Sequence, residues 1–205
     1  MISVSSKIVE DIDTLRKQGL ASLVFFYHDF REGQKRDVRG LLSSALFQLC
    51  GQSNSYHNIL SVLYSKHLDG AQSASNKELF RCLKDILRLP TQAPVFLILD
   101  ALDECPNTSA IQSSRKKVLM LVEELIDSKL PNLRICITSR LETDIKAILG
   151  PLTFRTISLH DERGQMEEIE DYIKFVVNTS REMRRWRREH RELVINVITE
   201  GADGM

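Results

Sequence analysis

The sequence predicts a three-layer α/β domain, a parallel sheet with helices on both faces, and three observations predict it. Three runs, "LASLVFFYHDF" at 20–30, "VFLIL" at 95–99 and "LRICITSR" at 133–140, carry consecutive apolar residues over a strand's length, as strands buried on both faces do. Segments with apolar residues at helical spacing separate them, which is the order that parallel strands joined by crossover helices require. Each run also ends in polar residues, and in an open parallel sheet the carboxyl ends of the strands are where ligands bind.

The elements follow in order. From Ser3 to Gln18, Val4, Ile8, Ile12 and Leu15 stand at near-helical spacing and Gly19 supplies the stop. The run from Leu20 to Phe30 is the first strand, and "REGQKRD" is a polar connector. Asp37 caps a helix that carries Val38, Leu41, Leu42, Ala45, Leu46 and Leu49 on one side and ends near Gly51. Helices are expected from Tyr56 to His67 and from Asn76 to Arg88, with "LDGAQSASN" between them as a loop. Pro90 and Pro94 bracket the entry to "VFLIL". Val118, Leu121, Val122, Leu125 and Ile126 mark a helix from Ser113 to Lys129 that Pro131 closes off. After the strand at 133–140 comes a short helix, Glu142 to Leu149. "FRTISL", Phe154 to Leu159, alternates apolar and polar residues and reads as a strand nearer an edge. Two helices, Gln165 to Val177 and Glu182 to Glu200, complete the chain, which divides into an α/β domain over 1–160 and a helical segment over 161–205.

Composition narrows the function. With 205 residues, 42% hydrophobic and 27% charged, the chain has material for a substantial core. Its 28 basic residues equal its 28 acidic ones, so no whole-chain field favours nucleic acid or an acidic membrane. Cys50, Cys82, Cys105 and Cys136 are far apart, without a C-x-x-C pair or a zinc-ligand spacing, and read as reduced thiols. No apolar run is long enough for a membrane span and the amino terminus lacks a signal-peptide pattern, so a cytoplasmic location is expected.

The densest chemistry lies in "VFLILDALDECP", where Asp100, Asp103 and Glu104 crowd the exit of an apolar strand. A carboxylate there can hold a hydrated Mg²⁺, which needs only one or two protein oxygens plus phosphate. A second acidic group a few residues on can orient or deprotonate a water that attacks a phosphoryl group. Asp, Pro and Asn are also common in turns after strands, so the same residues fit a plain turn. "ITSR" brings Thr138, Ser139 and Arg140 to the same sheet edge, where such groups can read a terminal phosphate, and Asp29 brings another polar group there. "REMRRWRREHRE", 181–192, packs six arginines around Trp186. Glu182, Glu189 and Glu192 interrupt it, with Arg185–Glu189 and Arg188–Glu192 at i, i+4, which makes a solvated helix face with Trp186 turned to the core.

Taken together, "LASLVFFYHDFRE", "RDVRGLLSSALFQLC", "VFLILDALDECP", "LRICITSRLETDI" and the terminal "ADGM" resemble NACHT-type NTPases, in the fungal and nephrocystin-like branch of the STAND class of P-loop ATPases. The resemblance implies a P-loop NTPase-like fold in which Asp100 is the Walker B residue for Mg²⁺ and Ala101 the small residue that follows it. It implies Asp103 as the water activator with Glu104 beside it, and Arg140 as the arginine that reads the γ-phosphate. The intact family protein is a signalling switch, as in innate immunity, that uses Mg²⁺ and ATP or GTP and works through protein partners or self-oligomerisation.

No G-x-x-x-x-G-K followed by Ser or Thr occurs in the sequence, so the P-loop has no residues here and no nucleotide is expected to bind this chain tightly. The chain is expected to be a fragment that begins just inside the helix after that loop and stops within the helical segment. In the family's sheet order the first strand lies between "LRICITS" and "FRTISL", so its removal leaves unpaired ladder groups on both. The alternatives are a degenerate, non-catalytic NACHT-like interaction module and, more weakly, nucleic-acid binding through the Arg-rich helix; no membrane partner is expected.

Overall fold

The computed structural model describes residues 4–29, 37–67, 72–90, 93–107, 113–158 and 163–202. It falls into two compact units, Met1–Leu152 and Thr153–Met205.

The first unit is α/β. Helix α1 (Val4–Lys17) ends in Gly19 at φ 73°; Leu20 N–H donates to the Leu15 carbonyl and Gly19 N–H to that of Arg16. These paired bonds form a Schellman cap, and Gly is the residue that takes its left-handed position at least cost. Strand β1 (Ser22–Tyr27) follows, then α2 (Val38–Cys50), which starts where the Asp37 carboxylate accepts from Gly40 N–H at 2.8 Å. Helix α3 (Asn54–Lys66) is capped by Ser53, and α4 (Asn76–Leu87) opens with a reciprocal Ser75–Glu78 capping box. Strand β2 (Val95–Asp100), α5 (Ser114–Asp127), β3 (Leu133–Ile137) and α6 (Thr143–Leu149) complete the unit.

The strands form a parallel sheet in the order β1-β2-β3, with Ser22 opposite Val95 and Val95 opposite Leu133. That register puts Val24, Phe26, Leu97, Leu99 and Ile135 on one face, where they pack with Leu41, Leu42 and Leu49 of α2, Leu83 and Ile86 of α4, and Val118, Val122 and Leu125 of α5. Side chains alternate along a strand, so Leu23 and Ile98 turn to the other face, beside α1, and are buried there. Both faces of β2 are therefore covered, which is why its sequence shows no polar alternation.

The expected strand "FRTISL" does not form over residues 154–158; Phe154 and Ile157 are exposed, and Leu159 lies outside the described residues. Alternation makes a segment fit for a sheet, but only a hydrogen-bonded neighbour makes it a strand. The second unit pairs α7 (Arg163–Thr179) with α8 (Arg188–Ala202) around Ile173, Val177 and Ile195. The expected helix from Glu182 starts six residues later. Residues 183–185 form a 3₁₀ turn, and Trp186 ends it 46% exposed instead of turning to the core. The Arg188–Glu192 pair stands at 2.7 Å, as its spacing implies.

None of the four cysteines forms a disulfide. Burial raises all four thiols above their ordinary range, Cys82 and Cys105 to about 11. At pH 8, with roughly a thousandth of those two as thiolate, Ellman's reagent is expected to label the half-buried Cys50 and Cys136 first. Cys82 and Cys105 should react only after urea is added.

Candidate functional site

The acidic turn begins where β2 leaves the sheet. Asp100 is the strand's last residue, and its Oδ1 accepts from the Thr138 hydroxyl, just beyond β3, and from the Ser5 hydroxyl of α1 at 2.5 Å. Its backbone carbonyl accepts from His28 N–H at 3.0 Å, which continues the β1–β2 ladder. Three elements thus converge on one carboxylate.

Ala101 then reverses the chain in a left-handed conformation, φ 53° and ψ 48°. A residue with a Cβ pays roughly 1–2 kcal/mol there, and Thr138 supplies what holds it. The Thr138 hydroxyl accepts from Ala101 N–H at 3.1 Å, its carbonyl accepts from Leu102 N–H at 3.0 Å, and its own N–H donates to Leu99 at 2.9 Å. Leu102, fully buried, anchors the 3₁₀ turn Leu102–Glu104 to the core.

The turn aims Asp103 at Arg140. Oδ1 accepts from Arg140 N–H at 3.0 Å, and Oδ2 lies 3.5 Å from Nε of its guanidinium. The Asp103 side chain is 11% exposed and that of Arg140 87%. Arg140 thus does lie beside Asp103 as an ion pair, but as an exposed cation rather than a desolvated one. Its guanidinium stands in water, where such a pair contributes at most about 1 kcal/mol. Ser139 is exposed between Thr138 and Arg140, and Glu104 is half-buried in the same turn. Asp29 lies just past β1, which ends opposite Asp100.

The buried cation of the site is Arg115. Its side chain is 8% exposed, Nε donates to the Cys105 carbonyl at 3.0 Å, Nη2 donates to the Asp103 carbonyl, and Nη1 approaches Asp144 at 3.3 Å and Glu142 at 3.6 Å. It ties the acidic turn to α5 and α6. Sequence reasoning missed it among the cations of "SSRKK", yet there was a signal, because Arg115 falls three and seven residues before Val118 and Val122, on the apolar stripe of α5. Ser5, 1% exposed, was missed in the same way, although it precedes Ile8 and Ile12 by three and seven residues in α1. The Arg-rich stretch is tied to its surroundings: besides the Arg188–Glu192 pair, Arg191 Nη1 donates to Asn178 Oδ1 at 3.2 Å.

Replacing Arg115 by Met leaves two turn carbonyls and the Asp144 carboxylate short of a donor. Urea denaturation should show a loss of about 3–5 kcal/mol. Arg115→Lys should recover less than half, because one ammonium nitrogen cannot span the acceptors that Nε, Nη1 and Nη2 reach separately.

Set against known protein families, residues 3–140 match the one described as nephrocystin 3, N-terminal. The match runs from α1 through the acidic turn to Arg140. No curated protein and no solved structure matches the chain. With well over half of its length matched across the whole sheet and the turn just described, the chain belongs to the nephrocystin 3 N-terminal family.

Proposed function

We propose that the Met1–Leu152 unit is the metal- and γ-phosphate-reading part of a nucleotide-dependent switch, a NACHT-type NTPase of the STAND P-loop class. The observation that supports this reading is the placement of Asp100, Thr138, Asp103 and Arg140 at one carboxyl edge of a parallel sheet. Both hydroxyls act on Asp100 Oδ1, so Oδ2 is the oxygen available to a cation. Among the described residues no group of three or more His, Cys, Asp or Glu is placed to hold a metal. That donor set fits an ion that keeps its waters and takes one carboxylate plus phosphate oxygens, as Mg²⁺ does.

Asp103 is the candidate water activator, with Glu104 beside it. Both its oxygens are engaged by Arg140, so it becomes a base only when Arg140 moves. An exposed guanidinium moves easily, and a γ-phosphate oxygen offers it a stronger partner than a carboxylate already bonded to a backbone N–H. Arg140 then exchanges one anion for another, and that exchange links phosphate sensing to release of Asp103. In the switch as a whole, nucleotide state biases two arrangements of the protein, and self-assembly or partner binding reads them out.

Both Asp103 oxygens already face Arg140, and this favours a second reading, a non-catalytic interaction module that keeps the shell of the site. The two readings separate by measurement. Without the amide nest and lysine of a P-loop, this chain should bind Mg²⁺–ATP no more tightly than roughly 1 mM, about −4 kcal/mol, and micromolar affinity by calorimetry would overturn that. In a chain supplied with a P-loop ahead of α1, Asp100→Asn should weaken Mg²⁺-dependent binding by roughly tenfold, about one charge-assisted contact. There Asp103→Asn should slow hydrolysis on the order of a hundredfold, as loss of a general base does, with binding little changed. Small, equal effects from both would favour the interaction module.

A further inference from the structure

The sheet's outer strand β1 has a composition unusual for an edge. Ser22–Tyr27, "SLVFFY", has no charge and no proline, and it carries three aromatic residues. Uncharged, β-prone segments of this length pair readily with further strands, and edge strands are ordinarily blunted by charge, proline or cover. The cover here comes from two glutamines one turn apart, Gln48 of α2 and Gln52 just past its C-cap Gly51.

Ser22 N–H and His28 N–H point to β2, so the even-numbered residues face the ladder and Leu23 and Phe25 face out. Gln52 Oε1 accepts from Leu23 N–H at 2.9 Å, and Gln52 Nε2 donates to the Leu23 carbonyl at 2.5 Å. One turn earlier, Gln48 Oε1 accepts from Phe25 N–H at 3.0 Å and Gln48 Nε2 donates to the Phe25 carbonyl at 2.8 Å. A primary amide offers a donor and an acceptor side by side, as a neighbouring strand does, and i, i+4 on a helix runs about 6 Å, close to the two-residue repeat of a strand. Ser44 Oγ and the Gln48 carbonyl each accept from the same Nε2 atoms, at 2.9 Å, and orient the two amides.

We infer that Gln48 and Gln52 are a side-chain strand that closes the β1 edge against a second copy of this chain. The edge suits such a copy. In an antiparallel pairing centred on Phe25, the outward residues 23, 25 and 27 of one copy meet 27, 25 and 23 of the other. Leu23 then stands against Tyr27 and Phe25 against Phe25, with no charge opposed, and such pairs stabilise a sheet. Phe25 is 36% exposed at the centre of that line. The inference is independent of any nucleotide.

The test is the Gln48→Ala/Gln52→Ala variant of the whole chain. At concentrations low enough to keep the variant monomeric, hydrogen exchange at Leu23 and Phe25 should accelerate by roughly tenfold or more, while Val24 and Phe26, bonded to β2, stay protected. Light scattering should show concentration-dependent dimers and larger species beyond the wild-type distribution, with a native circular dichroism spectrum. Adding Phe25→Lys, which opposes two cations at the centre of the pairing, should restore the wild-type distribution. If the double variant loses its native spectrum, Gln48→Ala alone, which frees only Phe25, is read by the same criteria. A wild-type mass distribution for the double variant would overturn the inference. So would assembly that Phe25→Lys leaves intact, or equal assembly by Leu83→Ala, a core truncation that leaves the edge closed.

Discussion

Thr138 joins the two strands that make the candidate site. Its N–H continues the β2–β3 ladder through Leu99, its carbonyl takes Leu102 N–H, and its hydroxyl lies between Asp100 and Ala101 N–H. A left-handed alanine is a strained way to leave a strand, and it persists because surrounding bonds over-determine it. The reward is direction. A chain continuing straight from Asp100 would carry Asp103 away from the sheet, whereas this reversal returns it to Arg140.

Two arginines attend the same turn in opposite physical states. Arg115 is buried and spends its guanidinium on backbone carbonyls and the carboxylates of the α6 region, so its contribution is rigidity. Arg140 is exposed and holds Asp103 by one backbone bond and one weak ion pair. The desolvated cation holds the turn through several bonds, whereas the exposed one is held by contacts that cost little to exchange. Reversing those burials would leave the turn without its buried anchor.

The sheet's two outer strands also differ. Along β1 the outward backbone groups of Leu23 and Phe25 are satisfied by Gln52, just past α2, and by Gln48 of α2, and the strand is mostly buried. β3 is half-buried along its length, and its Arg134 bends back onto the carbonyls of Pro131 and Leu133. The amide cover on β1 answers the unpaired ladder at that edge of the sheet, and β3 carries no comparable side-chain cover among the described residues.

By itself, the sequence determined the parallel α/β class, the helix starts behind Asp37 and at Asn76, the stop at Gly19, and the strand end that presents Asp100, because each rests on local periodicity or on one capping residue. Other helix starts were less legible: α3 begins at Asn54 rather than Tyr56, and α8 at Arg188 rather than Glu182. Tertiary structure alone decided that Ser5 and Thr138 share one oxygen of Asp100, that Arg115 rather than Arg140 is the desolvated cation, and that "FRTISL" stays irregular over its described residues. These depend on partners far apart in the chain: 95 residues separate Ser5 from Asp100 and 29 separate Arg115 from Asp144. Local spacing specifies which face of an element is apolar, but burial and pairing belong to whatever the fold brings against that face.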